Sequence, residues 1–215
     1  MKNNLVFVAG LHGNEPVPVM ALCAKNIPFV LGNPLAAKLG VRYVDHDLNA
    51  SFGVKNNTYE SHQSKNVLKN IPQHSIVIDF HTMPVDSPSF AIVVDEDMID
   101  YAQTLGVRHV VYMKYNPKNG HALINHRKGV SVETGMHGLY ASYLKTLEIV
   151  KRTTYCRKTR GVQVYEVYGA ISKKANYTNF ALFSDDEESF YPVLAGERTY
   201  DFLGLKARIY KGEIQ

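Results

Sequence analysis

The strongest constraint on the fold is an alternation. Apolar runs of strand length recur through the first 150 residues, and helix-length segments stand between them. Residues 5–9, 29–31, 75–80, 90–94, 110–113 and 130–132 read as strands, and residues 16–25, 59–69, 98–105 and 139–150 as helices. In the last of these, Tyr140, Leu144 and Leu147 fall at i, i+4 and i+7, the spacing of one helical face. Strands alternating with helices predict an α/β layer: a largely parallel or mixed sheet flanked by helices. Beyond Thr153 the texture changes. Residues 162–168 alternate with period two, and turn residues become frequent. The expected organisation is an α/β domain over residues 1–152 carrying the chemistry, and a small β-rich C-terminal domain over 153–215 packed on it.

Several function classes are disfavoured. No stretch approaches the roughly 18 uninterrupted apolar residues of a membrane span. The opening Met1-Lys2-Asn3-Asn4 runs straight into the apolar run at 5–9, too short for a secretory leader, so that run reads as a first strand. Two distant cysteines, Cys23 and Cys156, give no disulfide framework, and a reducing, cytoplasmic setting is the expectation. The net charge of +4 is modest, and its one basic run, Lys151-Arg152 and Arg157-Lys158-Arg160, reads as a solvated surface. No nucleic-acid partner is expected, and homo-oligomerisation stays open.

Chemistry is expected where polar residues follow strands, because open α/β sheets bind ligands beyond the carboxyl ends of their strands. His12 and Glu15 follow the first strand, His81 the strand at 75–80, and Glu133 the strand at 130–132. An imidazole and a carboxylate three residues apart in a Gly-flanked turn suit one zinc ion, and His81 would complete a His₂Glu set with a fourth position open for water. Asp79, two residues before His81 on a strand, points to the same side and is placed to orient an imidazole. A turn with a surface His and Glu has the same appearance, as does a hydrogen-bonded structural His after a strand. It is the joint pattern that argues for a metal.

The same segments resemble the succinylglutamate desuccinylase/aspartoacylase family. The resemblance is carried by Val8-Ala9-Gly10-Leu11-His12-Gly13-Asn14-Glu15, by Arg42-Tyr43-Val44-Asp45-His46-Asp47-Leu48-Asn49, by Ile78-Asp79-Phe80-His81-Thr82 and by Val132-Glu133-Thr134-Gly135. Near the end, Tyr191-Pro192-Val193 with Glu197 and Tyr200 is similar to the family's C-terminal β-domain segment. The matches run in family order over nearly the whole chain, with a shortened last domain. The resemblance implies a zinc carboxypeptidase-like fold and hydrolysis of the amide bond of a small N-acyl amino acid. It implies one zinc per chain on His12, Glu15 and His81, Glu133 as general base and later proton donor, and Arg42 holding the oxyanion. Asn49 and Tyr200 would contact substrate. These roles fit the chemistry: zinc acidifies water and polarises a carbonyl, a carboxylate shuttles the proton, and a fixed cation meets the developing charge.

One position departs from the family pattern. After Asp47-Leu48-Asn49 the family carries an arginine, and here the residue is Ala50. A bidentate grip on a substrate carboxylate is lost there. Three readings follow: a substrate without that carboxylate, another cation reaching in (Lys55 or Arg127), or a weak or lapsed enzyme. Altered substrate preference is favoured because the ligand set and Glu133 are intact. Arg127, in the cationic run His126-Arg127-Lys128, is therefore a candidate substrate-binding residue. Two alternatives stand beside the deacylase: a carboxypeptidase-like peptidase, against which Ala50 argues, and a non-catalytic zinc- or ligand-binding relative.

Overall fold

The computed structural model describes residues 4–197 and 202–212. Its strands are β1 (Leu5–Ala9), β2 (Val30–Leu31), β3 (Ile76–Met83), β4 (Phe90–Val93), β5 (His109–Tyr112), β6 (Gly129–Met136), β7 (Gln163–Ala170), β8 (Phe183–Ser184), β9 (Ser189–Val193) and β10 (Leu205–Ile209). Its helices are α1 (Pro16–Ala24), α2 (Pro34–Leu39), α3 (Tyr59–Lys69), α4 (Ile99–Ala102), α5 (Leu123–His126) and α6 (Tyr140–Arg152). The strands are ordered β2-β1-β3-β6-β4-β5-β7-β10-β9-β8. The sheet is mixed, as the strand–helix alternation predicts. β1 pairs in parallel with β2 and β3, β3 with β6, β4 with β5, and β5 with β7. β4 runs antiparallel to β6, and β10 runs antiparallel to both β7 and β9. The strands beyond Thr153 extend this sheet through the β5–β7 pairing.

Helices cover both faces of the β1-β3-β6 region. On one face Ile78, Phe80, Val130 and Val132 pack with Leu22 of α1, Ile99 of α4 and Ile149 of α6. On the other, Val8 and Val77 meet Val67 of α3, Leu123 of α5, Leu48 and Phe52. A third cluster joins Phe90, Val111, Tyr165, Val167 and Ala207 under the later strands. β3 and β6 are apolar toward α1, α4 and α6, through Ile78, Phe80, Val130 and Val132, while Asp79, His81, Ser131 and Glu133 interrupt the apolar pattern on the opposite face.

Three differences from the sequence reading have physical reasons. In α6 the buried residues are Ser142, Thr146 and Ile149, whereas Tyr140 and Leu144 are exposed. The small hydroxylated face satisfies itself, Ser142 Oγ donating to the Met136 carbonyl (2.8 Å) and Thr146 Oγ1 to that of Ser142 (2.9 Å), and it packs close to α1. The helix expected at 98–105 shrinks to α4 with a preceding 3₁₀ turn. His81 and Glu133 lie within β3 and β6 and not on loops after them. Among the described residues, no helix is long and apolar enough to cross a membrane.

Candidate metal centre

β1, β3 and β6 are neighbours and parallel, so their carboxyl ends share one edge of the sheet. His81 and Glu133 are register partners across β3 and β6, and so are Asp79 and Ser131. Paired residues, and residues two apart, point to the same face of a sheet. All four side chains therefore project together.

The turn after β1 brings the remaining donors. Gly10, at φ +69°, turns the chain in a region that side chains disfavour. At Gly13 a Cβ would stand 2.1 Å from the Ala36 carbonyl carbon of α2, so only glycine fits. Glu15 occupies the N-cap position of α1 without making a capping bond. Pro16 and Pro18 fill the first turn, and Pro18 offers no N–H where a capping side chain would seek one. The Glu15 carboxylate is left for other partners. It lies 2.6 Å from His12 Nδ1 and 3.1 Å from His81 Nδ1, and accepts from the Thr82 amide at 3.1 Å.

Both imidazoles turn Nδ1 toward Glu15 and hold Nε2 against a further carboxylate. Asp47 sits 3.0 Å from His12 Nε2, and Asp79 sits 2.7 Å from His81 Nε2. Ser131 Oγ donates to the same Asp79 oxygen at 3.2 Å. An outer N–H donated to a carboxylate leaves the inner nitrogen's lone pair for an ion, the usual support of a ligating imidazole. The donor atoms of His12, Glu15 and His81 lie within 4.8 Å of one another, and all three residues are buried. Two imidazoles and a carboxylate are the donor set of open zinc sites, and these residues fit one divalent ion. The charges agree. Burial raises the Glu15 carboxyl, yet His12 and His81 overcome it and hold it well below 4.5. Burial lowers His81, yet Asp79 and Glu15 raise it well above 6.5.

A cleft opens beside this cluster, lined in part by Glu133, Arg42, Asn49, Lys118, Asn116 and Glu197. Glu133 is buried, and among the described residues its Oε2 has no hydrogen-bond partner. Burial pushes its carboxyl up to about 7, with Glu15 and Glu197 adding to the rise and His81 and His12 opposing it. Arg42 lies 3.1 Å from Asp47, 3.6 Å from Glu197 and 3.7 Å from Glu15. Burial would lower the guanidinium, and these three carboxylates raise it instead. The segment carrying Arg42 and Asp47 is held from below by Glu60, which is fully buried. Glu60 accepts from the amides of Val44 (2.7 Å), Asp45 (3.0 Å) and His46 (3.2 Å) and from Asn33 Nδ2 (3.0 Å).

The other expected site residues divide. Asn49 lines the cleft, and its Oδ1 accepts from the Leu123 amide at 3.0 Å. Its Nδ2 is 3.4 Å from His81 Nε2, but that nitrogen is committed to Asp79, so two donors face each other and the contact is not a bond. Arg127 does not line the cleft. Its guanidinium donates to the carbonyls of Leu68 in the last turn of α3, of Ile71 just beyond it, and of His126 at the end of α5. Lys55 is exposed and away from the cleft lining. Tyr200 lies outside the described residues. Three residues join the site that the sequence reading did not assign to it: Asp47, Glu197 and Lys118. Asp47 had a signal, standing two residues from Asn49 in the same motif. Lys118 had none.

The model of the succinylglutamate desuccinylase/aspartoacylase catalytic domain matches residues 1–141. A probable aspartoacylase of Prochlorococcus marinus subsp. pastoris is 31% identical over 123 residues, 49% of this chain and 42% of the relative. A succinylglutamate desuccinylase of Pseudomonas syringae pv. tomato is 30% identical over 94 residues, 38% of this chain and 27% of the relative. The chain thus matches less than half the length of these curated relatives. Among solved structures, a succinylglutamate desuccinylase from Vibrio parahaemolyticus superposes with a TM-score of 0.72 at 14% identity, covering 97% of this chain and 82% of that one. Murine aminoacylase 3 gives 0.69 at 15% identity, covering 96% and 95%. At such identities these two show the fold.

Proposed function

The chain belongs to the succinylglutamate desuccinylase/aspartoacylase family, and from that premise we propose that it is a zinc-dependent hydrolase cleaving the amide bond of a small N-acyl amino acid. The observation that carries the reading is the convergence of His12, Glu15 and His81 beside the buried Oε2 of Glu133, which has no hydrogen-bond partner among the described residues. His12, Glu15 and His81 would hold one zinc ion. When bound, zinc supplies a Lewis acid that polarises the scissile carbonyl and makes a water acidic near neutral pH.

The chain's own residues supply the rest. Glu133, with its carboxyl near 7, is poised both to take a proton from the attacking water and to return it to the leaving amine. Arg42 remains charged throughout and can meet the negative charge that grows on the carbonyl oxygen. Asp47 and Asp79 fix the tautomers of His12 and His81, so each Nδ1 stays available as a ligand. Asn49 offers an amide to bound substrate, and Tyr200 is assigned the same duty. Asp79 acts through His81 and is a positioning residue.

Metal analysis tests the reading first. Purified protein should carry about one zinc per chain, and His81→Ala should lose it. Zinc-loaded protein should release free amine from N-acyl amino acids, and Glu133→Gln should keep the zinc but lose that activity. Protein that binds no zinc under metal-replete conditions, or a Glu133→Gln variant of unchanged activity, would overturn it.

A further inference from the structure

The position that carries an arginine in the family is Ala50 here, and among the described residues Ala50 does not line the cleft. Two cations do, Arg42 and Lys118. Arg42 already faces three carboxylates within 3.7 Å. Lys118 is mostly buried at 12% exposure, and its Nζ stands 3.9 Å from Oδ2 of Asp47, whose carboxyl it helps to hold well below 3.8 against the effect of burial.

The loop that presents Lys118 is built. Asn116 Oδ1 accepts the Lys118 amide at 3.0 Å, and the Lys118 carbonyl accepts the His121 amide at 2.9 Å. Asn119 and Gly120 both take positive φ to close this turn. His121 then ties the loop to Phe52, its carbonyl accepting the Phe52 amide at 3.1 Å and its Nδ1 bonding the Phe52 carbonyl at 2.8 Å. A lysine held this way has lost much of its conformational freedom before any ligand arrives. Another part of the cleft wall is apolar: Ile92, Val94, Met113, Ala122, Ile124 and Leu194. A carboxylate set against such a wall would be desolvated without a partner.

We propose that Lys118 recognises the carboxylate of the substrate, and that the cleft therefore selects an N-acyl amino acid with a single carboxylate and an apolar side chain. The inference rests on the deacylase reading and narrows it. Lys118 acts as a point charge with three donors, and the Asn116 and Asn49 amides line the cleft with it. The apolar wall receives the side chain.

The test uses zinc-loaded protein and three probes. N-acetyl-L-leucine has the carboxylate and an apolar side chain, N-isopentylacetamide is the same molecule without the carboxylate, and N-acetyl-L-aspartate has two carboxylates. Wild type should prefer N-acetyl-L-leucine to both. Lys118→Met should raise KM for N-acetyl-L-leucine about 10- to 100-fold, the usual loss for a charged hydrogen bond. It should leave kcat and the KM for N-isopentylacetamide nearly unchanged, and Lys118→Arg should restore most of the loss. Calorimetric binding of N-acetyl-L-leucine to zinc-loaded Glu133→Gln, with and without Lys118→Met, should show the same factor without turnover.

Equal effects of Lys118→Met on the charged and neutral amides, or a preference for N-acetyl-L-aspartate, would overturn the inference. So would loss of zinc from both Lys118 variants, which would show the lysine acting through Asp47. Wild type that cleaves neither amide would instead end the deacylase reading. In that case, Lys118-dependent binding of N-acetyl-L-leucine would leave the carboxylate site standing, and no such binding would remove it too.

Discussion

Replacing Glu133 by Gln should have two opposite effects, one on catalysis and one on stability. Burial is the main cause of the carboxyl's rise from 4.5 to about 7, reinforced by Glu15 and Glu197. For an acid whose folded pKa lies above its unfolded one, folding is most favoured when both states are protonated. As pH climbs from 4.5 toward 7, the unfolded chain ionises while the folded one resists, so stability falls across that window and levels off above it. A rise of this size corresponds to roughly 3 kcal/mol in all, at 1.36 kcal/mol per unit. The substituted amide does not titrate. The stability of the variant relative to wild type should therefore improve by roughly 2 kcal/mol between pH 5 and pH 8 in metal-stripped protein. Comparing two pH values cancels any fixed cost of burying the amide. Urea unfolding of both proteins at both pH values reads the difference, and kcat of the zinc-loaded variant should fall by about 10²- to 10⁴-fold. Parallel pH–stability curves for the two proteins would show that Glu133 is not held protonated by its surroundings. The assignment of proton transfer to it would then lose its physical basis.

Three further outcomes follow. Glu60→Ala removes the acceptor of four hydrogen bonds at a fully buried position, and should destabilise the fold by about 3 kcal/mol or more, read by chemical denaturation. Its kcat should also drop as the segment bearing Arg42 and Asp47 loosens. Arg42→Ala should lower kcat about 10²- to 10³-fold with a smaller effect on KM, since the interaction belongs to the transition state. Zinc affinity of the metal-free protein should rise with pH above neutrality, because His81, held protonated there by Asp79 and Glu15, must release its proton to ligate. Calorimetry in buffers of different ionisation enthalpy measures the protons released, and pH-independent affinity would contradict that picture.

Much of the site was legible because it sits where α/β sheets put chemistry, at the carboxyl ends of adjacent parallel strands. His12, Glu15, His81, Asp79, Glu133 and Arg42 all meet around one cleft. What was not legible depended on closure in space. Lys118 reaches the cleft from a loop before α5 and nothing local marks it, while Glu197, in the stretch after β9, stands in the C-terminal motif but carried no assigned role. Arg127 looked like a free cation in a basic run, but the carbonyls of Leu68, Ile71 and His126 take its guanidinium. Gly32-Asn33-Pro34 reads in the sequence as the turn that closes the strand at 29–31, and the helix start it carries is not separable from that turn. The structure starts a helix there, with Asn33 Oδ1 accepting the Ala36 amide at 3.1 Å to cap α2. The periodicity that marked α6 was real, yet Tyr140 and Leu144 of its stripe are exposed and Leu147 half-buried, while Ser142, Thr146 and Ile149 form the buried face.

The distribution of charge around the centre ties the metal to the substrate. Among the described residues, five carboxyls converge there, Glu15, Asp47, Asp79, Glu133 and Glu197, against two cations, Arg42 and Lys118. With Glu133 and His81 both protonated, the metal-free excess is one negative charge, and a divalent ion that displaces the His81 proton would leave the site near neutral. A substrate then enters a site that is near neutral, with Arg42 enclosed by carboxylates. One carboxylate can be met by Lys118. A second, placed some 4 Å from Asp47 or Glu197, would feel a repulsion on the order of 4 kcal/mol at an effective dielectric of 20, and among the described residues no third lining cation is there to offset it. The proposed selection of a single carboxylate thus follows from Ala50, the apolar wall and the two cations, Arg42 and Lys118, that line the cleft among the described residues.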